Sequence, residues 1–264
     1  MTEWLAYLGT GALVGFAAGL LGIGGGAVMV PLLVWVFTTH GLPAAHVVHI
    51  ALGTALAAMV FTSVASMRAH HAHGAVDWAI ARAMSPGMLA GSFIAALIAG
   101  FIPTRPLALA FTLLVFAAAT QILLDVKPPS SRDLPGPAGL FGAGAVIGAV
   151  SSLLAAGGAF MTIPFLAWCR VPLRRAIGTA AANGLPIAIA GTAGYVLNGM
   201  RTPGLPGASI GYVYLPALAL VVTTSMLAAP LGARVAHRLP IKRLRTLFAM
   251  LLYIFAIRML VSVW

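Results

Sequence analysis

The chain has 264 residues, of which 61% are hydrophobic and 7% charged, and its mean hydropathy is +1.04. A water-soluble domain carries roughly a quarter charged residues, so this composition excludes one and calls for an integral membrane protein. The formal charge of +11 comes from 15 Lys and Arg set against four Asp and Glu; the cations fall in short gaps between apolar runs, which makes membrane topology, rather than nucleic acid, their use.

Residues 4–38 form the first apolar stretch. Its start has neither a basic n-region nor a small-residue cleavage site, so it reads as a membrane segment and not as a removable signal. It is too long for one straight helix at ~1.5 Å per residue. Gly22, Gly24, Gly25 and Gly26 break it near the middle, each Gly costing roughly 1 kcal/mol relative to Ala in a helix interior. A helical hairpin is predicted, its second arm opening at Ala27. Broken backbone survives at membrane depth only where it is buried in protein or lines a cavity. The free N–H groups and positive dipole end of such an arm bind an anion without any side-chain charge.

Three spans are predicted next, at residues 48–67, 78–102 and 107–124. Each is near the ~20 residues that cross the hydrocarbon, and their uniform apolarity excludes the alternating strands of a barrel. Thr54, after Gly53, sits near the start of the first, where its hydroxyl meets either a cavity or its own helix backbone. His70, His71 and His73 lie in the gap that follows, with only Asp77 to support a metal and no cysteine nearby; no metal is expected there. Residues 125–137, with Lys127 and Arg132, read as a linker.

The chain then repeats itself. Residues 22–33 read GIGGGAVMVPLL and residues 155–166 read AAGGAFMTIPFL, while Gly53-Thr54 is answered by Gly178-Thr179. Gly25 and Gly158, like Pro31 and Pro164, are 133 residues apart, and the two GT pairs are 125 apart. The second copy is therefore predicted as a hairpin at 138–169 and spans at 176–197, 212–235 and 244–263. Gly157, Gly158 and Ala159 open its short arm as Gly24, Gly25, Gly26 and Ala27 open the first. Asn183 lies one turn beyond Thr179, and an amide in an apolar span usually has a partner. Ser151 and Ser152, just before the second break, are secondary candidates. Isolated glycines such as Gly91 and Gly211 read as packing residues, and the single Cys169 excludes an internal disulfide.

Orientation follows from the gaps. Residues 39–47 carry no Lys or Arg, whereas the matching gap carries Arg170, Arg174 and Arg175. The next pair reverses, Arg68 and Arg82 against Arg201, and the third reverses again, Arg105 against Arg234, Arg238, Lys242, Arg243 and Arg245. Basic residues mark the cytoplasmic side, so the two copies are expected in opposite orientations, with the linker cytoplasmic and both termini outside. The fold class is all-α: a polytopic helical membrane protein of two inverted-topology repeats, 1–124 and 138–264, each a glycine-broken hairpin plus three transmembrane helices. Matched broken helices in inverted repeats are the signature of secondary transporters, whose substrate sits near the midplane. The candidate substrate-binding residues are Gly24, Gly25, Gly26, Ala27 and Thr54 in the first copy and Gly157, Gly158, Ala159, Thr179 and Asn183 in the second. No Walker sequence, G-x-S-x-G or pair of intramembrane carboxylates is present, which argues against an enzyme, a cofactor and a cation substrate.

With these residues in view, the chain resembles the sulfite exporter TauE/SafE family of bacterial membrane permeases. The resemblance runs through GIGGGAVMVPLL, the GT pair, HHAHGAVDW (70–78), AAGGAFMTIPFL, RRAIGTAAANGLP (174–186), GYVYLPAL (211–218) and LGARVAHRLP (231–240). It implies an inner-membrane permease for a small sulfur-containing anion such as sulfite or an organosulfonate, with glycine turns and GT pairs along the pathway. The second copy departs in having Ala156 where the first has Ile23, and two consecutive glycines where the first has three. The expectation is a carrier in the lipid bilayer, coupled to a proton or sodium gradient, alone or as a homo-oligomer. A passive anion channel of the same architecture and an accessory membrane subunit without transport of its own are the alternatives.

Overall fold

A computed structural model describes residues 2–21, 25–124, 132–155, 157–236 and 241–263. The first half comprises α1 (Thr2–Leu21), α2 (Gly26–Thr39), α3 (Val47–Ala72), α4 (Trp78–Ala99) and α5 (Thr104–Leu124). The second comprises α6 (Pro137–Leu154), α7 (Ala159–Trp168), α8 (Leu173–Gly199), α9 (Leu215–Ala236) and α10 (Ile241–Val263), with a small antiparallel hairpin of β1 (Ser209–Ile210) and β2 (Val213–Tyr214) before α9. Helices α3, α4, α5, α6, α8 and α9 are long and apolar enough to cross a membrane. The chain is a polytopic helical membrane protein.

Local chemistry sets several boundaries. The Asp77 carboxylate accepts from the N–H groups of Ala79 and Ile80 at 3.1 and 3.3 Å, capping α4, and Pro137 opens α6, where its missing N–H is not needed. Helix α3 continues through His70 and His71 to Ala72, beyond the predicted end of that span. Helix α9 starts at Leu215 because residues 209–214 first fold back on themselves around Gly211, whose φ is +56°. The short arms differ in length: α2 has 14 residues and α7 has 10. At ~1.5 Å per residue α7 covers roughly half of the ~30 Å hydrocarbon, so it is too short to cross on its own.

The packing is exchanged between the halves. Helix α1 lies along α9 and α6 lies along α4, so the first arm of each half rests on the fourth helix of the other; α3 pairs with α8, and α5 with α10. Lipid supplies no hydrophobic drive between helices, so close backbone approach holds such pairs together. In the α4–α6 pair a Cβ added to Gly87, Gly91, Gly144 or Gly148 would run into backbone of the opposite helix. The Ser92 hydroxyl crosses the same seam and donates to the Gly148 carbonyl at 3.2 Å. Gly91 thus has the packing role expected of it. Helix α3 is the most enclosed of the six spans.

Candidate functional site

Both short arms begin the same way. Gly25 caps α2 with φ +63° and Gly158 caps α7 with φ +73°, each left-handed and each without a side-chain cap. A left-handed residue costs a non-glycine roughly 1–2 kcal/mol, which is why glycine stands at both points. The cap carbonyls already accept the first helical bonds, Gly25 from Val28 and Met29, Gly158 from Met161 and Thr162. The N–H groups before these, of Gly26 and Ala27 and of Ala159 and Phe160, have no acceptor within their own helix and carry the positive end of its dipole.

The two tips meet at one cavity of about 430 Å³. Gly25 and Met29 line it from the α2 side, Gly157, Ala159 and Ile163 from the α7 side, and α1, α3, α8 and α9 complete the wall. Among the described lining residues none is charged; the polar ones are Thr62, Ser63, Ser66 and Ser225, and the rest of the wall is apolar apart from glycine backbone. Gly26 is buried behind Gly25 and Ala27 is half-buried in the first turn of α2. Gly24 lies outside the described residues.

Thr54, Thr179 and Asn183 are fully buried and are not among the lining residues. The Thr54 hydroxyl accepts the backbone N–H of Tyr214 and the Thr179 hydroxyl accepts that of Asp77, both at 3.0 Å. The preceding glycines make the approach possible: a Cβ on Gly53 would strike the Tyr212 carbonyl, and one on Gly178 the Ala75 carbonyl. Each GT pair therefore braces the segment leading into the fourth helix of the other half. Asn183 Nδ2 points at Met84 Sδ, 3.7 Å away.

A cluster of rings packs at the opposite end of the bundle. Tyr7, Phe37 and Tyr214 stack edge to face at centroid distances of 5.8–6.2 Å. His49 stacks on Tyr212 at 5.1 Å, with His46 and Tyr195 beside the pair. Its Nε2 donates to the carbonyls of Ala99 and Ile102 at 3.1 and 3.0 Å, which fixes that nitrogen as the protonated one. These groups occupy the starts of α1 and α3, the hairpin before α9 and the ends of α2 and α8; the cavity lies toward the other ends of these helices and is lined by α9 as well. Among the histidines named from the sequence, His71 Nδ1 accepts from Trp78 Nε1 at 3.1 Å and His73 Nδ1 contacts the Ala69 carbonyl at 2.8 Å. Cys169 is buried at the end of α7; burial pushes its thiol up, partly opposed by Arg132.

The profile of the family described as "Sulfite exporter TauE/SafE" matches residues 7–259. The chain belongs to that family. Among TauE/SafE relatives it is 35% identical over 251 residues to a probable membrane transporter protein of Haemophilus influenzae, covering 94% of this chain and 95% of the relative. It is 26% identical over 263 residues to a probable membrane transporter protein of Methanocaldococcus jannaschii, covering 95% of this chain and 92% of the relative. No solved structure matches. The chain is thus a membrane transporter and not an enzyme, and it takes a small-molecule substrate.

Of the TauE/SafE residues singled out from the sequence, the structure brings Gly25, Gly157 and Ala159 to one cavity, sets Gly26, Ala27 and Gly158 directly behind them, and holds Thr54, Thr179 and Asn183 in the surrounding packing. The hydroxyls of Ser63 and Ser66 escaped sequence reasoning. They lie three residues apart on one face of α3, a spacing visible in the sequence yet indistinguishable from an ordinary packing stripe without the neighbouring helices.

Proposed function

We propose that this protein is a secondary carrier of a small sulfur-containing anion, sulfite or an organosulfonate, working by alternating access in the bacterial inner membrane. The observation that carries this reading is the meeting of two glycine-capped helix N-termini, one from each half, at a single cavity whose described lining has no charged side chain. Backbone N–H groups and helix dipoles then supply the attraction for the anion. Two half-helices presenting their N-termini near the membrane midplane fit the broken-helix architecture of carriers.

The exchange of contacts between halves supports an inverted pair of repeats, 1–124 and 138–264. Thr54 and Thr179 are 125 residues apart, and the amides they hold, Asp77 and Tyr214, are 137 apart, so one brace maps onto the other when the halves are swapped. Arg68, Arg82, Arg174, Arg175 and Arg234 belong to the cavity end, while Arg105 and Arg201 belong to the ring-bearing end. By the distribution of basic residues, the cavity end is cytoplasmic and both termini are outside. In this reading the structure is inward-facing, with the rings as the outer seal. In the binding site Gly25, Gly26 and Ala27 face Gly157, Gly158 and Ala159, with Gly24 assigned to the same turn from the sequence; Thr54, Thr179 and Asn183 hold the frame.

The test is flux of sulfite and a short alkanesulfonate into proteoliposomes. Gly25→Leu puts a branched side chain at a left-handed residue whose Cβ position is 3.0 Å from Ala18 Cβ and 3.1 Å from Val14 Cγ1, and it is expected to abolish flux. Asn183→Ala is expected to reduce it severalfold. Wild-type flux in both variants would remove the proposed site. Saturable counter-flow marks a carrier, whereas single-channel currents would mark a channel.

A further inference from the structure

The two tips are chemically unequal. The 133-residue offset of the hairpins places Ser151, Ser152 and Thr162 on Ala18, Gly19 and Met29, and the 125-residue offset of the GT pairs places Asn183 on Ala58. Side-chain positions agree with this alignment at the caps: the Gly25 Cβ position meets Ala18 Cβ at 3.0 Å, and that of Gly158 stands 4.0 Å from Ser151 Oγ. All four positions are apolar in the first half, and all four carry a hydrogen-bonding group in the second.

None of the four lines the cavity, and two of them, Thr162 and Ser152, are buried without a partner among the described residues. Thr162 is completely buried in the first turn of α7, and among the described residues its Oγ1 has no hydrogen-bond partner. That oxygen lies 3.6 Å from the Gly158 Cβ position, against the helix tip. Ser152 Oγ is likewise buried and without a partner among the described residues, beside Gly191 and Leu56. Other helical hydroxyls return to the carbonyl one turn back, as Thr38 does to Val34 and Ser85 to Ala81, both at 2.7 Å, and Thr224 to Leu220 at 2.8 Å, while Thr112 and Thr192 are unpaired among the described residues but lie away from the tips. A buried hydroxyl left unpaired destabilises the fold, and such an exception asks for a reason.

We propose that Thr162 and Ser151, flanking Gly158, are the hydroxyl donors that coordinate the oxyanion head of the substrate, so that the second half alone adds side-chain donors to the attraction that both helix tips supply. The corresponding first-half residues, Met29 and Ala18, line the cavity as an apolar wall against the remainder of the molecule. The site is asymmetric although the fold is duplicated. This assignment rests on the carrier reading above.

Thr162→Val and Ser151→Ala in proteoliposomes test it, with Thr162→Ser as the conservative variant. Thr112→Val is the control: Thr112 is also buried without a partner for Oγ1 among the described residues, but on α5, away from the tips. The expected result is a KM for sulfite or alkanesulfonate raised about tenfold or more by Thr162→Val and by Ser151→Ala, with partial recovery in Thr162→Ser and no change in Thr112→Val. The melting temperature of Thr162→Val is expected to match or exceed that of the wild type, because the isosteric change removes an unpaired polar group. Wild-type KM in both Thr162→Val and Ser151→Ala, or a fall in stability with KM unchanged, overturns the assignment and leaves the carrier reading standing. Absence of flux in the wild type itself removes both.

Discussion

Thr54 and Thr179 show how much one hydroxyl can do when its helix offers no competing use. Each accepts a backbone N–H from the other half at 3.0 Å, at a point where an adjacent glycine lets the chain come close. Replacing the hydroxyl by a methyl group leaves that N–H buried and unpaired, a loss of about 1–3 kcal/mol. Thr54→Val and Thr179→Val are therefore expected to lower the melting temperature in detergent by several degrees, and Thr54→Ser and Thr179→Ser to restore most of it. Equal stability of the Val and Ser variants would mean that the braces bear no load. The glycines at the two tips were legible in the sequence because dense glycine has no place in a lipid-facing helix. The braces were not, because an acceptor 160 residues from its donor leaves no local trace, and the GT pair alone fits a self-bonded Thr equally well.

At the scale of elements, the helices and both breaks could be read from apolar length and glycine placement, since every backbone group at membrane depth must be satisfied within a helix or inside protein. The small hairpin before α9 could not: GYVY is apolar enough to extend the following span, and it folds back only because Gly211 packs against Val196 in a left-handed conformation. Which helices pair was equally hidden, since glycines occur on most of them. The α4–α6 seam makes the distinction measurable. Gly91 has the Ala145 backbone where its Cβ would go, whereas Gly142, on α6 itself, has nothing within 4 Å. Overpacking of a tight seam costs about 1–3 kcal/mol or more. Gly91→Leu is expected to abolish the monodisperse peak on size-exclusion chromatography or depress the melting temperature sharply, and Gly142→Leu to behave like the wild type. Similar behaviour of the two variants would show that backbone contact does not hold this pair.

For the whole molecule, the decisive property is one-sidedness. Helices α1 and α3 carry ring-forming residues at their starts and cavity-lining residues at their ends, and α9 follows a ring-bearing hairpin and lines the cavity further on, so rings gather at one end of the bundle and the hollow lies toward the other. Two opposed half-helix tips at the bottom of such a hollow are what a carrier needs to hold an anion reached from one face at a time. Ala65 lies on the exposed part of the cavity wall, and Cys169 is the chain's single cysteine, so Ala65→Cys in a Cys169→Ser background reports on the hollow alone. The measurement is the rate at which a membrane-impermeant maleimide labels that cysteine in vesicles of each orientation, with and without a saturating alkanesulfonate. The expected result is rapid labelling from the cytoplasmic face only, slowed severalfold by the anion; labelling from the outer face in its absence, or a cytoplasmic rate that the anion leaves untouched, would contradict an inward-facing anion carrier.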